Sequence, residues 1–116
     1  DKTLQAEFKT FGTAVPREIL RKGGGAFFDL NLQRYFEQVE KVQIRIVDSS
    51  HFQGVEGRTT ARWRTVGTQK YIDVTRDFFD SENLETKQIL SFHEYLGVLG
   101  YDDDEYWFSV TLWYLT

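Results

Sequence analysis

Apolar residues recur at helical spacing early in the chain. Phe28, Leu32, Tyr35, Phe36 and Val39 fall on one stripe, which predicts an amphipathic helix from Asp29 to about Val39, packed on a sheet. The period then changes to two. In VQIRIVDS, Val42 to Ser49, the residues Val42, Ile44 and Ile46 alternate with Gln43, Arg45 and Val47, as in a half-buried strand. TTARWRTV (59–66) alternates again, with Ala61 and Trp63 on one face and Arg62 and Arg64 on the other. GTQ (67–69) is a turn signal, and KYIDVTRDFF (70–79) reads as the next strand, so the two form a hairpin. HFQGVEGR (51–58), with its two glycines, is a loop or wide turn.

The remaining punctuation places the helices. Pro16, the single proline, opens a short helix VPREILRK, because its missing N–H would be unpaired at the first helical position anyway. Gly23, Gly24 and Gly25 end that helix in a plain turn; no lysine-bearing phosphate loop accompanies them. Asp80 or Ser81 offers an N-cap for a helix from about Glu82 to Leu99, and Gly100 is placed to end it. In the tail, DDDEYWFSVTLWYLT, the acids suit a helix start and the aromatic, β-branched content suits a strand. The helical reading turns Tyr106, Trp107, Val110, Trp113 and Tyr114 toward the body of the domain. The whole is a single α+β domain over 1–116: a small antiparallel or mixed sheet, an N-terminal helix, a central helix and a helical tail.

Composition narrows the function. The chain has 116 residues, 41% hydrophobic and 16% aromatic, enough for a core without disulfides or metal. So many aromatics in so small a domain leave some for a concave, adhesive surface. The net charge is −4 and no basic run is present, which argues against nucleic acid as a partner. No apolar segment approaches the ~20 residues of a membrane span. There are no cysteines, which removes disulfides, thiolate metal sites and a cysteine nucleophile together. There is no methionine either, which reads as a mature fragment left after removal of a leader and points to an exported protein, periplasmic or secreted.

The chemistry is concentrated in HEYLGVLGYDD, His93 to Asp103. Zinc proteases set two histidines at i and i+4 so that both imidazoles leave one helical face toward one ion, with a glutamate base after the first. The stretch resembles the zincin, specifically metzincin, signature HExxHxxGxxH/D. The resemblance implies His93 as first ligand, Glu94 as catalytic base, Gly100 as the glycine where the helix breaks and Asp103 as third ligand. The preceding hairpin is similar to a minimal zincin core, and the likeness covers about residues 42–103. It also implies a bacterial type of exported protein.

Gly97 departs from the pattern, standing where the second imidazole belongs. His93 and Asp103 make two ligands where a catalytic zinc has three plus water; His51, the other histidine, would have to complete the set. In the plainer alternative, His93 bonds a backbone or carboxylate group and Glu94 accepts from a backbone N–H or an arginine. A mid-helix glycine costs about 1 kcal/mol against alanine, so Gly97 implies close packing or an open slot beside His93.

Other constellations carry less. DDDE (102–105) lacks calcium-loop spacing; Arg62, Arg64 and Arg76 form a cross-strand charge face with Asp73, Asp77 or Glu56; Ser49, Ser50 and His51 are merely adjacent. The expectation is therefore a degenerate, non-catalytic zincin-like domain that binds a peptide or protein without a cofactor. Gly97, Tyr95, Tyr101 and Trp63 are its candidate binding residues, and the strand at 59–66 is the edge to which a peptide adds. The alternatives are an active zinc metallohydrolase using His93, Asp103 and His51, and a structural or assembly module of a secreted protein.

Overall fold

In the computed structural model, which describes residues 1–23, 26, 27, 30–52, 59–101, 103 and 106–115, the first helix is much longer than the expected one. α1 spans Lys2–Arg21, and the Asp1 carboxylate caps it by accepting from the N–H groups of Thr3 and Leu4. Pro16 lies inside α1, not at its start. A proline cannot donate to the carbonyl four residues back, here that of Gly12. The Tyr35 hydroxyl donates to this carbonyl instead, at 2.7 Å, so the helix passes through the proline with no orphaned acceptor. Gly23, at φ +92°, follows the helix end; Gly24 and Gly25 lie outside the described residues.

A minimal antiparallel pair, β1 (Ala26–Phe27) and β2 (Leu30–Asn31), precedes α2 (Leu32–Val39). The Asn31 side chain caps α2 by accepting from the Arg34 N–H. Leu32, Tyr35 and Val39 are buried, as the stripe requires; Phe28 and Asp29 lie outside the described residues. Then come β3 (Val42–Val47), a single 3-10 turn (Ser49–Phe52), β4 (Ala61–Val66) and β5 (Gln69–Thr75). The loop expected through residues 53–58, with Glu56, falls outside the described residues.

β5 stops at Thr75, short of the expected strand end. Residues 76–81 form α3 (Arg76–Ser81). Phe78 and Phe79 are adjacent, and a strand would turn one of them away from the core. The helical turn buries Phe78 against the rings of Phe8 and Phe11, at centroid distances of 5.3 and 6.2 Å. Ser81 is thereby inside α3, and the cap of the next helix is Asn83, accepting from the Thr86 N–H at 2.8 Å. This helix, α4, spans Leu84–Val98. Gly100 closes it at φ +88°. The Tyr101 N–H bonds the Leu96 carbonyl and the Gly100 N–H bonds the Gly97 carbonyl, the paired bonds of a Schellman end.

The tail is a helix, α5 (Trp107–Leu115). Ser109 and Leu112 are fully buried and Trp113 packs partly buried against the core, as expected; the side chains of Trp107 and Phe108 lie outside the described residues. Tyr106 meets the body, stacking on His93 of α4 while 37% exposed, whereas Tyr114, also expected to face the body, is 69% exposed. Tyr114 is two residues beyond Leu112, about 200° around the helix, and so stays largely exposed, its hydroxyl donating to Glu85 at 3.4 Å.

The larger sheet has the order β3-β5-β4, with β3 parallel and β4 antiparallel to β5, so the α+β fold carries a mixed sheet. A two-residue connection, Gly67 and Thr68, joins β4 to β5, with Gly67 at φ +62° as a tight hairpin requires. Ile44, Ala61, Ile72 and Val74 face a core completed by Phe8, Tyr35, Phe78, Phe92, Tyr95, Leu96 and Leu112. α1 and α4 pack on each other through Gly12, where a Cβ would lie 2.4 Å from the Tyr95 ring. Among the described residues no helix is long and apolar enough to cross a membrane.

Candidate functional site at the face of α4

His93 and Gly97 stand one turn apart on α4, with Glu94 beside them. The structure brings His93 and Asp103 together: Nδ1 lies 2.8 Å from Asp103 Oδ2. The other oxygen, Oδ1, accepts from the Ser109 N–H at 2.9 Å. Asp103 thus ties α4 to the first turn of α5, with its side chain only 1% exposed. Burial alone would raise the Asp103 pKa. The hydrogen bonds from His93 and Ser109, with the charge of His93, outweigh it and hold the carboxyl below its ordinary value. An ionised acceptor on Nδ1 makes that nitrogen the N–H donor, and among the described residues Nε2 has no hydrogen-bond partner. Tyr106 stacks on the imidazole, centroids 3.9 Å apart.

Glu94 points the other way, to the sheet. Its Oε2 accepts the backbone N–H of Trp63 at 3.0 Å. β4 is an edge of its sheet, and this bond takes one of the N–H groups that such an edge presents. Glu94 is buried, and desolvation pushes its pKa up to about 7 against the opposing pulls of His93, the Trp63 N–H and Arg62. A carboxyl in that range is suited to exchanging protons near neutrality.

The space in front of Gly97 is filled. A Cβ there would lie 2.3 Å from Trp63 Nε1 and 2.8 Å from Cδ1. The indole covers the bare backbone with one side and is 45% exposed overall. Trp63 and Tyr106 therefore flank His93 and Glu94 as exposed aromatic surfaces.

The other candidates are elsewhere. Tyr95 is fully buried between Phe8 and Tyr35, because it lies on the side of α4 that packs on α1; it is a core residue and not a surface contact. Its hydroxyl has no hydrogen-bond partner among the described residues. Tyr101 is half-buried against the core, with its N–H spent on the helix end. His51 pairs with Asp73 at 3.3 Å. Asp102, Asp104 and Glu105 lie outside the described residues. Tyr106 and Ser109 lie beyond the motif, and the six-residue reach from Asp103 to the Ser109 N–H exceeds the two or three residues of an ordinary cap, so no local signal marks them.

These donors do not fit a three-ligand zinc site. Both Asp103 oxygens are engaged by His93 and Ser109, His51 is on Asp73, and position 97 offers no donor. Among the described residues no three His, Asp or Glu side chains are grouped to hold a metal ion. No family model, curated protein or solved structure matches the chain.

Proposed function

We propose that the chain is a non-catalytic, zincin-like domain that holds a peptide or protein segment on the α4 face between Trp63 and Tyr106. One observation carries the reading: the Trp63 indole stands in the volume where the second imidazole of a zinc-binding helix would project from position 97. The groups that hydrolysis would need free are also committed, Asp103 to His93 and Ser109 and Glu94 to the Trp63 N–H. What remains at the surface is aromatic area with a few polar groups, the make-up of a recognition site. The Trp63 and Tyr106 rings supply apolar contact and the Nε2 of His93 supplies a hydrogen bond.

A random-peptide display selection on the whole chain, followed by titration of selected peptides, tests this. Binding should shift the tryptophan fluorescence of the wild type but not that of Trp63→Phe, and should fall about tenfold or more in Trp63→Ala, the loss typical of a buried aromatic anchor. Zinc titration by calorimetry runs beside it. Stoichiometric zinc lost in His93→Ala, together with hydrolysis of a peptide, would replace this reading with the metallohydrolase. Selected peptides indifferent to Trp63 and Tyr106, with His93→Ala altering only stability, would leave the assembly module.

A further inference from the structure

We propose that the arginine-bearing face of the three-stranded sheet, opposite the core, binds an extended acidic segment of a partner protein. The strand register places Arg45, Asp73 and Arg62 in one row across β3, β5 and β4, and Gln43, Tyr71 and Arg64 in the next. Directly paired residues share a face, and this one lies away from Ile72 and Val74, which enter the core. Gln43, Arg45 and Arg62 are exposed, while Arg64 and Tyr71 are partly so.

Asp73 sits at the centre and is only 2% exposed. It is covered by the Arg64 guanidinium, Nε to Oδ2 2.8 Å, and by His51 at 3.3 Å. Arg64 also lies over the Tyr71 ring, 4.3 Å from its centroid. Asp73 is thus spent on orienting Arg64. Arg45 and Arg62 form no hydrogen bond or ion pair among the described residues. Among the described residues, three guanidinium groups around one carboxylate make a local positive surplus on a chain whose net charge is −4. That reversal of sign is what electrostatic complementarity to an acidic partner requires.

The spacing selects an extended peptide. Alternate residues along a strand lie about 7 Å apart, and the outer strands of a three-stranded sheet about 10 Å. An extended chain projects same-side carboxylates at that ~7 Å interval and can meet Arg62 and Arg64 in turn, while a third reaches Arg45. A phosphate backbone is less suited, because the patch is three arginines wide on an acidic protein and forms no basic stripe. Arg62 also pulls on Glu94 of α4, but the row it forms with Asp73 and Arg45 lies on the face away from the core, so the inference does not rest on the reading of the His93 site.

The test uses the full chain and a fluorescein-labelled hexaglutamate peptide, followed by anisotropy at low salt. R45E/R62E should weaken binding about tenfold or more. R17E/R34E, which makes the same charge change at exposed positions of α1 and α2, should weaken it less than about threefold. Binding should also fade between ~50 and ~500 mM salt. Circular dichroism confirms that both variants are folded. The proposal is overturned by no binding at low salt, by equal losses in the two double variants, or by tighter binding of an oligothymidylate of equal charge.

Discussion

The indole nitrogen of Trp63 would stand 2.3 Å from a Cβ at Gly97. Glycine is required there by a neighbouring ring and not by backbone conformation, since position 97 lies in a regular stretch of α4. The helix gives up about 1 kcal/mol of propensity to let β4 close on it.

Gly97→Ala should therefore destabilise the domain by about 1 kcal/mol, as displacement of the ring, typically ~1–3 kcal/mol, outweighs the gain in propensity. In a Trp63→Ala background the same substitution should stabilise by up to ~1 kcal/mol. Urea denaturation of the four proteins reads the cycle. Destabilisation by Gly97→Ala in both backgrounds would show that something other than Trp63 closes on position 97.

Stability should fall as pH rises through Glu94's titration. Its folded value of about 7 lies above the ordinary 4.5. Between those values the folded chain keeps a proton that the unfolded chain has released, so the sign of the slope is negative. The contribution is complete below 4.5 and lost as the pH passes 7, to a limit of roughly 3 kcal/mol. Glu94→Gln keeps an acceptor for the Trp63 N–H and should flatten this slope. Denaturation midpoints at pH 5, 6, 7 and 8 are the measurement, and an unchanged slope in Glu94→Gln would refute the assignment.

Asp103 has the opposite sign. Its depressed pKa means that its contribution exists above the ordinary carboxylate value and disappears as pH falls. Asp103→Ala leaves the Ser109 N–H, buried at the start of α5, without its acceptor, and should cost about 2–3 kcal/mol. Asp103→Asn keeps one carbonyl acceptor and should cost less. In nitrogen NMR of the histidines, His93 should hold its proton on Nδ1 in the wild type and lose that preference in Asp103→Ala. A wild-type His93 protonated at Nε2 alone would contradict the geometry.

Two core tyrosines should respond to phenylalanine in opposite directions. The Tyr95 hydroxyl is buried with no partner among the described residues, so Tyr95→Phe should stabilise by about 1 kcal/mol. The Tyr35 hydroxyl satisfies the Gly12 carbonyl, so Tyr35→Phe should destabilise by about 1–3 kcal/mol. Thermal unfolding of the pair gives both signs in one experiment.

The strands were legible because period-two alternation at 42–47 and 61–66 coincides with the faces that the register shows. The end of α4 was legible because Gly100 must carry a positive φ. Pro16 misled because its remedy is a hydroxyl from another helix, 19 residues further on, which no local pattern encodes. RDFF misled because its β-like composition is overridden by the need to bury Phe78 beside Phe8. At the site, the nearness of His93 and Asp103 followed from the motif. Trp63 over Gly97 did not, because it depends on how far the hairpin reaches across α4.

The Tyr35–Gly12 bond has a consequence for how the chain folds. Across Pro16 the first helix lacks one link of its own backbone ladder, and the missing link is supplied by α2. The first twenty residues are therefore not an autonomous helical unit. Docking of α2 should steady the carboxyl half of α1, coupling the two helices of the N-terminal third.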